Sequence, residues 1–185
     1  MRKLVVTEFM SLDGVIEEPA WTAPYWNDDI AQFKDQEQLT SDTLLLGRIT
    51  YQGFAAAWPN STDDGASYMN NVRKYVVSKT LNAVEWNNSI LIQDNIVEEI
   101  ARLKQQDGQG ILVYGSAALV QTLIRHELVD FYRLLVYPVV VGKGKHLFQG
   151  DTTVTLKLLQ SQTFGSGVVA LVYEPELDIL PSLKA

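Results

Sequence analysis

Strand-type and helix-type patterns alternate through the first two thirds of this chain, and then the helical pattern stops. No other feature constrains the fold as much. Alternating strands and helices build a parallel sheet covered by helices, whereas consecutive strands pair antiparallel. Residues 4–9 read as a first strand and SLDG (11–14) as the turn that ends it. EEPAWTAPYW (17–26) reads as a Pro/Trp-rich loop. Asn27 is placed to cap a helix running to about Leu39, with Ile30 and Phe33 on its buried face. Residues 43–46 read as a buried strand ending at Gly47, RITYQGFAAAW (48–58) as a helix stopped by Pro59, and NSTDDGAS (60–67) as a loop. A strand follows at 75–78, and KTLNAVEWNNSILI (79–92) suggests two more short ones. NIVEEIARLKQQDG (95–108) reads as a helix with Asn95 and Glu98 as a capping box, Ile96, Ile100 and Leu103 on one face, and Gly108 at its stop.

GILVYGSAALVQTLIRHEL (110–128) joins the two kinds of pattern most tightly. Its apolar run at 111–114 is bounded by glycines, and from Ala118 the residues Leu119, Val120, Leu123, Ile124 and Leu128 recur at helical spacing. A strand therefore runs into a helix through almost no loop. A glycine at such a junction lets another group approach the backbone, and the N–H groups of a first helical turn suit an anion. Beyond it, VDFYRLLVYPVVVG (129–142), VTLKLLQSQTF (154–164) and VVALVYE (168–174) read as long strands joined by Gly-rich turns. The expected fold is α/β and three-layered: a mainly parallel central sheet, helices on both faces, and antiparallel C-terminal strands. Residues 1–174 read as one domain and 175–185 as a tail that packs on the domain or on a partner subunit.

Composition narrows the function. With 46% hydrophobic and 20% charged residues, the 185-residue chain suits a packed globular core. A net charge of −7 argues against a nucleic-acid surface, which needs a basic stripe, but not against a small anion held by two or three local cations. The absence of cysteine removes disulfides and thiolate metal sites. His126 and His146 lie twenty positions apart without metal-site spacing, so no metal is expected. The basic start of MRKLVVTEFMSLDG leads into an apolar run that breaks at Glu8, which reads as a strand and not a signal peptide. No stretch approaches the ~20 apolar residues that span a membrane. The expected location is the cytoplasm.

In open α/β sheets ligands bind beyond the carboxyl ends of the parallel strands. Three such ends here carry anion-binding residues: Gly47, Arg48 and Thr50; Ser78, Lys79 and Thr80; and Gly115, Ser116 and Ala117. Together they suit a long polyanion such as a dinucleotide lying across the sheet edge. The usual dinucleotide fingerprint is missing, since Gly108-x-Gly110 precedes its strand, and no P-loop motif occurs.

SLDG, LLLGRITYQGF, VVSKTL and ILVYGSAALVQTL…VDFYRLLVYPVVVGKGKHLF, spread from Val5 to about Val172, resemble the dihydrofolate-reductase-like superfamily. The resemblance is strongest to the branch similar to the C-terminal reductase domain of the riboflavin-pathway deaminase/reductase. It implies an NADPH-binding reductase. Gly47, Arg48 and Thr50 match the segment that cradles the cofactor, Ser78, Lys79 and Thr80 the segment by the 2′-phosphate, and Gly115, Ser116 and Ala117 the diphosphate turn. Dihydrofolate reductases carry two glycines at that turn; the backbone donors survive the exchange to Gly115–Ser116. NDDIAQFK (27–34) resembles the helix with the folate-binding carboxylate, which makes Asp29 the candidate acid. Trp26, Tyr51 and Trp58 would line the same cleft, with Asp13 and Gly14 near the reacting edge. The implied activity is hydride transfer from NADPH to a flat pteridine- or pyrimidine-type substrate, as in reduction of 5-amino-6-(5-phosphoribosylamino)uracil. A weak stand-alone dihydrofolate reductase and a non-catalytic NADPH-binding protein remain alternatives. A homodimer is expected from the C-terminal strands and the apolar tail residues Leu177, Ile179, Leu180 and Leu183.

Overall fold

The computed structural model describes residues 1–150 and 153–176. Its elements are β1 (Leu4–Ser11), α1 (Asp28–Leu39), β2 (Ser41–Gly47), α2 (Arg48–Ala57), α3 (Ala66–Asn71), β3 (Arg73–Val77), β4 (Ser89–Ile92), α4 (Ile96–Gln105), β5 (Gly110–Val113), α5 (Ala117–Arg125), β6 (Phe131–Tyr137), β7 (Leu156–Thr163) and β8 (Val169–Pro175). The strands form a single sheet in the order β4-β3-β2-β5-β1-β6-β8-β7. Every pair from β4 to β6 is parallel, and β8 and β7 add antiparallel strands at one edge. This is the α/β fold expected from the order of the patterns.

Alternating side chains divide the core between the two faces. In β2, Leu45 packs with Ile100 of α4 and Leu119 of α5, whereas Leu44 and Leu46 pack with Tyr51 of α2 and Met69 of α3. Ile30 and Phe33 of α1 cover Leu135 of β6 and Ala170 and Val172 of β8. Helices therefore lie on both faces.

The sheet's register creates a notch. The last pairs of β5 join Val113 to Val6 of β1 and to Leu45 of β2. Both neighbours continue past that point, β1 to Ser11 and β2 to Gly47. The short central strand thus leaves a gap at its carboxyl end, walled by Thr7–Phe9 on one side and Gly47 on the other.

Several local expectations differ from the structure. Residues Pro19–Tyr25 form a 3-10 helix inside the segment read as loop, with its Thr22 hydroxyl bonded to the Pro19 carbonyl. The short α3 lies in the segment read as loop and its continuation, where it buries only Ala66 and Met69. One strand, β4, replaces the two expected over 79–92, because Leu81 and Val84 pack on the core without joining a ladder. Asn27 caps α1 as expected, its Oδ1 accepting from the Ile30 N–H at 3.1 Å. Asn95 does not form the expected capping box: its backbone is left-handed (φ 48°) and its side chain caps nothing. No helix among the described residues is long and apolar enough to cross a membrane. Leu177, Ile179, Leu180 and Leu183, on which the homodimer expectation rests, lie outside the described residues.

Candidate active site

A cavity of about 710 Å³ occupies the notch. Its walls include all nine residues expected to hold a cofactor: Gly47, Arg48, Thr50, Ser78, Lys79, Thr80, Gly115, Ser116 and Ala117. They come together because β2, β3 and β5 are parallel neighbours, so their carboxyl ends open on the same side.

Two helix N-termini touch at the floor. Gly47 precedes α2 and Ser116 precedes α5, and neither residue caps its own helix with a side chain. The Gly47 N–H donates to the Gly115 carbonyl at 2.9 Å, and the Thr50 N–H to the Ser116 hydroxyl at 3.3 Å. A Cβ on Gly47 would stand 2.6 Å from that hydroxyl oxygen and 2.8 Å from the Ser116 nitrogen, so only glycine permits the approach. Gly115 has φ +94°, a conformation that suits glycine, and the Gly115–Ser116 peptide bond is cis. Paired N-termini with their partial positive charge form a seat for an anion. Arg48 and Lys79 stand exposed at its rim; Arg48 bonds to the neutral Gln52 at 3.0 Å, and neither has an acidic partner among the described residues. Ser78 is buried and fixes its own turn, its hydroxyl accepting from the Thr80 and Leu81 N–H groups at 3.1 and 3.0 Å.

The wall opposite Gly47 holds a carboxyl group that sequence reasoning missed. Glu8 of β1 lines the cavity at 8% exposure, and its Oε1 is buried without a hydrogen-bond partner. Burial raises its pKa to about 8, against the pull of the nearby Lys34 ammonium. Lys34 of α1 is itself buried, bonded to the Thr7 hydroxyl at 2.8 Å and paired with Glu37, which also pairs with Arg133 at 3.0 Å. Its ammonium lies 4.5 Å from the centre of the Tyr114 ring and 5.4 Å from that of Phe9. The signal for Glu8 was its position: the lone charged residue in the middle of a mostly apolar strand.

The residues expected to serve catalysis and substrate lie elsewhere. Asp29 is exposed at the first turn of α1, outside the cavity, and accepts from the Gly165 N–H at 3.3 Å. Asp13 also lies outside and ties two loops together. It accepts from the Ser11 hydroxyl at 2.6 Å and from the Val141 and Gly142 N–H groups at 3.1 and 2.7 Å. Those bonds, the Ser11 one foremost, hold its carboxyl at about 2. The Gly14 carbonyl accepts from the Leu147 N–H at 2.9 Å in the same loop clamp. Tyr51 is core, its hydroxyl accepting from the Trp86 N–H at 3.0 Å. Trp58 packs edge-on against Phe54, and Trp26, 52% exposed, packs edge-on against Phe9. Phe9 and Phe54 line the cavity directly.

Residues 2–170 match the family described as RibD C-terminal domain. The chain belongs to this family. It is 35% identical over 182 residues to the uncharacterized protein YyaP of Bacillus subtilis (strain 168), covering 93% of this chain and 94% of that one. Among solved structures, a putative riboflavin biosynthesis protein from Shewanella sp. PV-4 superimposes with a TM-score of 0.75 at 19% identity, over 94% of this chain and 99% of the other. A dihydrofolate reductase from Enterococcus faecalis, complexed with NADP(H) and RAB-propyl, does so with a TM-score of 0.64 at 16% identity, over 94% and 96%. Both likenesses are of fold.

Proposed function

We propose that this chain is a cytoplasmic NADPH-dependent reductase that delivers hydride to an electrophilic carbon of a flat pteridine- or pyrimidine-type substrate. The observation that carries this reading is the seat made by Gly47 and Gly115, where two helix N-termini touch inside a cavity rimmed by Arg48 and Lys79. A Cβ at Gly47 would run into Ser116, so the missing side chain lets the two helix starts converge as an anion seat requires. Thr50, Ser116 and Ala117 would hold the diphosphate through backbone and hydroxyl groups, and Arg48 with Lys79 would read the 2′-phosphate. When bound, NADPH supplies the hydride; the chain supplies position and electrostatics. Phe9, Phe54 and Tyr114 form the aromatic part of the wall, suited to a flat ring.

The reaction most in keeping with the family is reduction of 5-amino-6-(5-phosphoribosylamino)uracil. Dihydrofolate is the weaker candidate, because Asp29, the counterpart of a folate-binding carboxylate, lies outside the cavity. Mixing the protein with NADPH and each compound in turn, while following loss of NADPH absorbance, tests the reading. Faster oxidation with the uracil compound than with dihydrofolate is expected. Failure to bind NADPH at all would contradict it.

A further inference from the structure

Reducing a C=N or C=O bond takes a proton at the heteroatom as well as a hydride at carbon, and the reductase reading leaves that donor unassigned. The inference below rests on that reading. Three carboxyl groups line the cavity: Glu8, Glu17 and Glu18. Glu17 pairs with Lys145 at 2.9 Å, which keeps its carboxyl below the ordinary range and ionised. Glu18 is exposed to solvent. Asp13 and Asp29 lie outside the cavity. Burial pushes the Tyr114 phenol well up, so it holds its proton too firmly to give it away near neutral pH. Lys34 is held by Thr7 and Glu37. Glu8 alone combines burial, a place on the cavity wall and an oxygen with no partner.

Its position suits the task. Strand alternation sets Glu8 on the same face of β1 as Val6 and Met10, one residue before Phe9 of the aromatic wall. A Cβ on Gly115 would lie 3.4 Å from the Glu8 Oε1. The carboxyl group therefore stands on the cavity wall beside the Gly115 turn.

We propose that Glu8 is the general acid of this site, donating its proton from a neutral carboxyl group to the heteroatom of the bond being reduced. The carbon gains a hydride from NADPH, the nitrogen or oxygen gains the Glu8 proton, and the double bond becomes single. The carboxylate left behind takes a proton from water, and NADP⁺ departs. Lys34, bonded to Thr7 on the other face of β1, favours that carboxylate through its charge; Arg48, Lys79, Glu18 and the Glu17–Lys145 pair are the other charged groups of the cavity. A pKa of about 8 leaves the acid mostly protonated at pH 7.

Two readouts on the same protein test this. The first is infrared difference spectroscopy of the ligand-free wild type, titrated through about pH 8. A carboxylic-acid C=O band present at pH 7, lost above that range and missing from Glu8→Gln, is expected. The second is NADPH titration and turnover with 5-amino-6-(5-phosphoribosylamino)uracil. Glu8→Gln should bind NADPH like wild type at neutral pH while kcat falls about 10²–10⁴-fold. Glu8→Asp should recover part of the rate. The alkaline fall in wild-type kcat should be absent from the residual rate of Glu8→Gln. A missing band at pH 7, or an unchanged kcat in Glu8→Gln, would overturn the assignment. A wild type that shows the band but binds no NADPH would overturn the reductase reading itself, and the donor role with it.

Discussion

Glu8 makes the fold's stability depend on pH in a direction unusual for a carboxylic acid. In the unfolded chain it releases its proton near 4.5, and in the folded protein near 8. Between these values the unfolded state binds fewer protons, so folding loses stability as pH rises through that window and stays lower above it. The loss has an upper bound of about 5 kcal/mol at roughly 1.4 kcal/mol per pKa unit. Glu8→Gln carries no such charge. Its melting temperature should match wild type near pH 5 and exceed it at pH 9. A constant difference at both pH values would contradict the buried, protonated carboxyl. The residue was visible in the sequence as a break in an apolar run, but its partners were not. Lys34 of α1 acts on it through charge, and nothing in the spacing of residues 8 and 34 indicates that coupling. Asp29 illustrates the converse: its place at a helix start was legible, and that place proved to be at the surface.

At the scale of elements, α2 and α5 matter through their first turns. Each begins directly after a strand, and their contact depends on a missing side chain at Gly47. Gly47→Ala would push a Cβ into the Ser116 backbone and hydroxyl. The expected cost is about 1–3 kcal/mol in urea unfolding, the usual range for overpacking, with weaker NADPH binding because the two N-termini separate. Gly53, on the same helix, is the control. A Cβ there meets nothing within 4 Å, so Gly53→Ala should gain about 0.5–1 kcal/mol from helix propensity. Equal effects of the two substitutions would show that the contact between turns is unimportant. These junctions were readable because each is local: an apolar run, a glycine, then helical spacing. The six-residue α3 was not readable, since so short a helix shows no full period. The capping box at Asn95 failed because motif spacing does not fix backbone conformation, and that residue is left-handed.

For the whole molecule, strand–helix order foretold a parallel sheet with an antiparallel edge, but not which strands would be neighbours. β1 sits between β5 and β6, far from either in sequence, and that placement opens the notch above Val113. The anion-binding segments were legible one at a time, while the Glu8 wall of the cavity emerged only from the sheet order. A dinucleotide seated across this edge would touch the ends of β2, β3 and β5 together, and the cofactor preference should report it. The deciding measurement is a titration of NADPH and NADH against wild type, Arg48→Ala and Lys79→Ala. A hydrogen bond to a charged group contributes roughly 1.5–3 kcal/mol. At about 1.4 kcal/mol per decade, losing one weakens binding roughly 10- to 150-fold. Arg48 is the stronger candidate, because its planar fork matches phosphate oxygens. Wild type should prefer NADPH, and Arg48→Ala should lose that preference with NADH binding little changed. Equal wild-type affinity for the two cofactors, or a parallel loss of both in each variant, would contradict the seat assigned to them.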